Sequence, residues 1–425
     1  MVSLILFGVF FLLLFLNIPI GLSLGISSVA ALLYEKLPLS MIPSNLYSST
    51  GKFVLLAIPF FILGGNVMEK SGISSRLINF CRTLVGHKKS GMAMVCVIVS
   101  CFFAAISGSG PATVAALGMI IIPAMTRVGY DKASSAALMS TAGAIGIIIP
   151  PSITFVIYGS ITGKSVGALF ASGILPGLLM GFSLILAMQF VSRDRPLDLL
   201  PKASWPERWK NFKEAFWGLM MPVIILGGIY GGIFPPTEAA AVSAVYGLIV
   251  GLFIYRTLRW KDLLSLLRDS VSQTAVVMFI VGTASLFAWV LTVTGIAASA
   301  SNALVEICGG NKYIFLLIVN VILLIAGCFI DANSAMYIIV PILYPVATSL
   351  GIDGVHLGCI MVMNLAIGLV TPPVGVNLYV GCGISNISLK QISKAVLPFV
   401  GASLLALLLT TYIPFFAMGI PSLLG

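Results

Sequence analysis

Long apolar runs alternate with short polar gaps along the whole chain. The runs fall at 3–16, 20–34, 53–68, 92–126, 134–160, 166–191, 216–235, 238–255, 273–293, 313–349, 355–383 and 396–418. At roughly 20 apolar residues per spanning helix, this pattern predicts an all-α polytopic membrane protein of about ten to twelve membrane segments. Two runs are too long for one crossing. The run 92–126 is interrupted by S-G-S-G-P (Ser107 to Pro111) and 313–349 by D-A-N-S (Asp331 to Ser334), so each predicts a re-entrant helical hairpin. The N-terminus lacks a basic stretch and stays apolar to Leu33, which predicts a retained helix or helix pair rather than a cleaved signal. Residues 3–34 are open to one kinked helix or two.

Sliding the chain on itself by 222 positions aligns 107–176 with 329–398, and 14 of 70 positions are identical. The matches concentrate where backbone geometry is special: Gly129/Gly351, Asp131/Asp353, Gly146/Gly368, Pro150/Pro372 and Pro151/Pro373. A weaker echo at offset 223 joins S-G-I (Ser71 to Ile73) with T-G-I (Thr294 to Ile296). The chain therefore reads as a duplication joined by the polar linker 192–215.

Composition and charge sharpen this picture. Of 425 residues, 59% are hydrophobic and 8% charged, against about 25% charged in soluble domains. The net charge of +10 does not indicate nucleic-acid binding, because the basic residues sit in short gaps, as membrane insertion demands. With the linker in the cytoplasm, alternating crossings place 70–89, 127–132, 192–215, 256–269 and 385–395 inside, holding 19 of the 23 Lys and Arg; Lys36, Lys52, Lys164 and Lys312 fall outside. The first hairpin is then rooted in the cytoplasm and the second on the far side. Such inverted repeats, with two re-entrant hairpins and two broken helices, are the architecture of secondary transporters. The seven cysteines form no C-x-x-C pair, and with two histidines they predict apolar packing and no transition-metal site.

Non-helical backbone is tolerable inside a bilayer only where it is buried in protein or lines a polar cavity. Besides the hairpin tips, two breaks are predicted, at Gly143 to Ser152 and Leu365 to Gly375. Pro150 and Pro151 release carbonyls near Gly146 and Ile147, and Pro372 and Pro373 do so near Gly368 and Leu369. Freed carbonyls and hydroxyls suit a hard cation. One predicted sodium cage uses Ser107, Ser109, Gly146, Ile149 and Pro150; the other uses Gly327, Gly368, Thr371 and Val374. Helix N-termini at the tips favour an anionic substrate. Thr113, Thr154, Asn333, Asn364 and Asn377, with Ser109, are its candidate lining, and Asp331 is a candidate for cation bias or gating. Asp131 and Asp353 read as helix N-caps, as does Glu238 after P-P-T.

At A-I-P-F-F-I-L-G-G (Ala57 to Gly65), A-I-S-G-S-G-P-A-T-V-A-A (Ala105 to Ala116), V-G-Y-D (Val128 to Asp131), I-I-P-P-S-I (Ile148 to Ile153), P-P-T-E-A-A-A-V (Pro235 to Val242) and G-L-V-T-P-P-V-G-V-N-L (Gly368 to Leu378) the sequence resembles the large membrane subunit of a tripartite ATP-independent periplasmic (TRAP) transporter. It departs from that family at Gly110-Pro111, where two small residues such as Ala are more usual. The resemblance covers essentially the whole chain. It implies an elevator-type, Na⁺-coupled importer in the bacterial inner membrane, not an enzyme. Its partners would be a small four-helix membrane subunit, and a periplasmic binding protein delivering a small anion of the C4-dicarboxylate or sialic acid class. In that scheme 1–56 and 216–270 form the scaffold, and 57–191 and 271–425 each carry an arm (70–90 and 295–312), a hairpin and transport elements. A binary Na⁺-coupled carboxylate transporter is the alternative. An intramembrane enzyme lacks a nucleophile–base or metal constellation, and no polar stripe suited to a channel runs along several helices.

Overall fold

Each apolar run becomes helix because hydrocarbon cannot hydrogen-bond its amides and carbonyls, so each segment must satisfy them internally. The computed structural model describes residues 1–424. Residues 3–34 are two helices, α1 (Val2–Phe15) and α2 (Ile20–Tyr34), parted at Asn17, which takes a positive φ, and at Pro19, the N-cap of α2. The polar stretch that follows forms a helix that the hydropathy pattern does not predict, α3 (Met41–Thr50). Next come α4 (Ala57–Lys70) and the first arm, α5 (Ile73–Val85). The first hairpin is α6 (Gly91–Ser107) and α7 (Gly110–Arg127), turned by Gly108 at φ 59. A side chain at 108 would be strained by that φ and would stand 3.0 Å from the Pro151 carbonyl. Then follow α8 (Lys132–Ala144), an irregular break, α9 (Ile153–Thr162) and α10 (Val166–Val191).

The linker expected at 192–215 is only half irregular. Ser204 caps α11 (Trp205–Tyr230), accepting from the Glu207 amide, so the predicted run at 216–235 is the later part of a longer helix. After α12 (Pro236–Ile249), the run predicted at 273–293 belongs to a 34-residue helix, α13 (Trp260–Val293), whose first turns are polar and escape a hydropathy reading. The second arm is α14 (Ile296–Cys308). Gly72 and Gly295 introduce the two arms with φ of 69° and 74°. The second hairpin is α15 (Lys312–Phe329) and α16 (Ala332–Ser349), followed by α17 (Gly354–Gly368), a break, α18 (Val376–Ser385) and α19 (Leu389–Tyr412). Asp131 and Asp353 cap α8 and α17, accepting from the Ser134 amide and from the Val355 and His356 amides. Glu238 is no cap: Pro235 holds that place, and the exposed Glu238 carboxylate sits in the first turn of α12, where the helix dipole favours it.

The two hairpins enter from opposite ends of α10, a helix of 26 residues and so ~39 Å long. Beyond its C-terminal end, the Asp198 amide donates to the Val128 carbonyl at 3.1 Å and Arg195 lies 3.8 Å from Asp131, at the base of the first hairpin. Near its N-terminal end, the Tyr158 hydroxyl donates to the Gly354 carbonyl at 2.6 Å, beside the base of the second. The halves interlock, with α18 packed on α7 and α8, and α9 packed on α16. Every residue of α17 is buried, as are those of α8 from Ser134 to Ala144. Among the described residues, eight helices are long and apolar enough to span a bilayer. Large apolar side chains such as Phe182, Phe190, Val271 and Leu397 lie on outer faces, where lipid accounts for their exposure. The chain is a multi-pass membrane protein.

Candidate functional site

The first hairpin tip folds its hydroxyls onto itself. Ser107 Oγ lies 2.8 Å from Thr113 Oγ1, and both hydroxyls reach the Ser109 carbonyl, at 3.3 Å and 2.8 Å. The break after α8 presses on this cluster: a Cβ at Gly146 would stand 3.0 Å from Thr113 Oγ1 and 3.1 Å from the Ser109 carbonyl. Since Pro150 has no N–H, the Gly146 carbonyl loses its helical donor, and among the described residues no other donor reaches it. Ser107, Ser109, Thr113 and Gly146 are thus together. Ile149 turns its side chain away to Gly177 of α10, and Pro150 is buried in the break.

The second tip meets its own break backbone to backbone. A Cβ at Gly368 would come within 2.5 Å of Gly327 Cα and 2.8 Å of the Gly327 carbonyl oxygen. Thr371 donates its hydroxyl to the Ile367 carbonyl at 2.7 Å and its amide to the Gly368 carbonyl at 3.1 Å, while the Asn377 amide donates to Leu369 at 3.0 Å. Gly327, Gly368 and Thr371 therefore stand together. Val374 is half-buried farther along the break. Both Pro-Pro bonds, 150-151 and 372-373, are cis.

Between the tips lies a cleft of about 490 Å³. Ser107, Ser109, Thr154, Asp331 and Asn333 line it, as expected. Thr154 and Asn333 meet across it at 3.3 Å. Thr113, Asn364 and Asn377 do not line it. Thr113 is fully buried behind the first tip. Asn364 donates to Asn320 Oδ1 and to the Ile360 carbonyl, both at 2.8 Å, and so ties α17 to α15 in the interior. Asn377 donates to the Ser140 carbonyl at 3.0 Å, and its amide group packs behind Gly110, bracing the first tip from the protein side. Polar residues buried between membrane helices are commonly such interhelical ties, and sequence position alone does not separate them from ligands.

The cleft's other wall went unpredicted. It consists of Gly65, Asn66 and Glu69 of α4 with Ser272, Gln273 and Val276 of α13. Asn66 donates to Ser270 at 2.9 Å at the edge of the cleft, and Lys70 pairs with Asp269 at 2.8 Å beside it, clamping the two helices together. An amide inside the apolar run 53–68 was a visible signal for Asn66; its partner, 204 residues away, was not.

Helix N-termini reach the cleft in two states. Asp331 caps α16, accepting from the Asn333 and Ser334 amides at 3.0 and 3.1 Å and from the Ser334 hydroxyl, so that terminus is already neutralised. The termini of α7 and α9 have no side-chain cap: Ser109 makes no such bond, and Ser152 turns its hydroxyl to the Ile147 carbonyl. Their first amides are open to an anion, except at Pro111 in the first turn of α7, which has no N–H. Two carboxylates, Glu69 and Asp331, line the cleft without any Lys or Arg among its lining residues.

A family model described as the tripartite ATP-independent periplasmic transporter, DctM component, matches residues 7–416. The chain is 44% identical to the C4-dicarboxylate TRAP transporter large permease protein DctM of Pseudomonas aeruginosa over 404 residues, covering 95% of this chain and 94% of that one. It is 43% identical over 420 residues to the isethionate TRAP transporter permease protein DctMQ of Oleidesulfovibrio alaskensis, covering 96% of this chain and 65% of that one. In fold it is similar to the YdaH transporter of Alcanivorax borkumensis, with a TM-score of 0.67 at 14% identity over 91% of this chain and 90% of that one. The residues matched and the identity carried over nearly the full length place this chain in the DctM family, the large permease components of TRAP transporters.

Proposed function

We propose that the protein imports a small organic anion, of the C4-dicarboxylate or sialic acid class, by sodium symport across the bacterial inner membrane. The observation that carries this reading is the cleft's charge pattern: two uncapped helix N-termini face two carboxylates, with no fixed cation in the lining. An anion alone is attracted by the dipoles and repelled by Glu69 and Asp331. Cations held by the carbonyls and hydroxyls at Ser107, Ser109, Gly146, Gly327, Gly368 and Thr371 remove that repulsion, which makes anion binding depend on sodium. Both substrates in the names of the two permease relatives are anions, which supports the same class.

The opposed hairpins are inverted repeats in this reading, and both tips ride on one body that slides against a scaffold formed by 1–56 and 216–270. The cleft lies beside Lys70 and Asp269, at the end of the molecule rich in Lys and Arg, so it faces the cytoplasm. A periplasmic binding protein delivers the substrate and a small membrane subunit braces the scaffold. The test is uptake of labelled succinate, isethionate or N-acetylneuraminate into proteoliposomes holding both membrane subunits. Uptake should require an inward sodium gradient and the added binding protein. Equal uptake with choline in place of sodium refutes the coupling, and full uptake without the binding protein assigns the chain to the binary class.

A further inference from the structure

The outer face of α6 and α10 carries a groove whose ends differ in chemistry. At the end rich in Lys and Arg, a recess of about 350 Å³ is lined by Lys88, Lys89, Ser90, Gln189 and Arg193. The three basic side chains are exposed. Among the described residues, Asp194 is the one acid that forms an ion pair with them, 3.6 Å from Arg193 Nε, and with its side chain 91% exposed that pair is solvent-screened. The recess also takes in the start of α6, whose N-cap Ser90 makes no side-chain capping bond, so the first amides of the helix add partial positive charge.

Met94 carries the recess inward along α6. One turn deeper the groove becomes an apolar slot of about 380 Å³, walled by Ile98 and Phe102 of α6 and by Leu178, Phe182 and Ile185 of α10. Pro222 and Leu226 of α11 close its third side. From Gly91 to Ala105 the groove runs ~21 Å along α6, which matches a headgroup plus one leaflet of ~15 Å of hydrocarbon. Phe182 is exposed along its rim.

We infer that this groove binds one anionic phospholipid of the cytoplasmic leaflet, with its phosphate on Lys88, Lys89 and Arg193 and an acyl chain in the slot between α6, α10 and α11. Three cations and a helix N-terminus exceed what a zwitterionic headgroup neutralises, and a free phosphate leaves the apolar slot unfilled. Native mass spectrometry of the delipidated full chain tests this with phosphatidylglycerol, phosphatidylcholine and inorganic phosphate as probes. A single phosphatidylglycerol adduct should form where phosphatidylcholine forms none, and phosphate should not displace it. The K88Q/K89Q/R193Q variant, altered only at exposed positions, should bind phosphatidylglycerol on the order of 100-fold more weakly. Ile98→Trp, which fills the slot, should also lose the adduct, with lipid-free melting of both variants reporting that the fold is intact. Equal retention of the two lipids, displacement by phosphate, or unchanged phosphatidylglycerol binding in the triple variant overturns the site.

Discussion

Ser109 and Asp331 hold equivalent places in the two hairpins and finish them differently. Ser109 leaves the start of α7 open, whereas Asp331 closes the start of α16 with its carboxylate. Asparagine caps a helix as well as aspartate does, so Asp331→Asn should keep the melting temperature while Asp331→Ala lowers stability by about 1 kcal/mol. A thermal melt of Asp331→Ala equal to that of the parent would show that the cap is energetically idle. Ser107 and Thr371 hold the hydroxyls nearest the two breaks. Ser107→Ala and Thr371→Ala each remove hydrogen bonds worth about 1 kcal/mol net, which the fold should tolerate. In the proposed mechanism each substitution removes a sodium ligand, so the sodium concentration for half-maximal uptake should rise in both. If neither variant shifts it, the sodium cages are misassigned.

At the scale of elements, breaks rather than helices organise the site, and a glycine at each break sets how closely tip and break approach. Gly368→Ala would push a methyl to within 2.5 Å of the Gly327 backbone, an overpacking expected to destabilise by about 1–3 kcal/mol. Gly227→Ala is the control: in α11, with nothing within 4 Å, the same methyl should be neutral or stabilise by up to ~1 kcal/mol. Comparable melting losses in the two variants would remove the close-packing argument. The breaks were legible because Pro-Pro, Gly-Ser-Gly-Pro and Asp-Ala-Asn-Ser interrupt apolar runs with residues that cannot continue a helix. Helix α3 was not, since M-I-P-S-N-L-Y-S-S-T is neither apolar nor strongly periodic. The polar starts of α11 and α13 were missed for the same reason: hydropathy registers only the part of a helix that meets lipid. Asn364 and Asn377 look the same in sequence as lining residues, and only their partners Asn320 and Ser140 identify them as interior ties.

At the scale of the molecule, two hairpins rooted at opposite ends of α10 bring their tips to one cleft, and α4 with α13 supply the facing wall. Of that arrangement, the two tips were readable as polar interruptions of over-long apolar runs. The facing wall was not, because Asn66 and Ser270 meet only in the folded chain. With two carboxylates in the cleft and no fixed cation in its lining, the proposed mechanism makes sodium and the organic anion mutually dependent ligands, and that linkage is reciprocal. Its most direct measurement is equilibrium binding of labelled sodium and of labelled succinate, isethionate or N-acetylneuraminate to the purified membrane complex, each titrated with and without the other. The account predicts that each ligand tightens the other by the same factor and that Ser107→Ala or Thr371→Ala reduces this factor. Affinities that stay independent of one another, for an anion that the complex binds and transports, would contradict it.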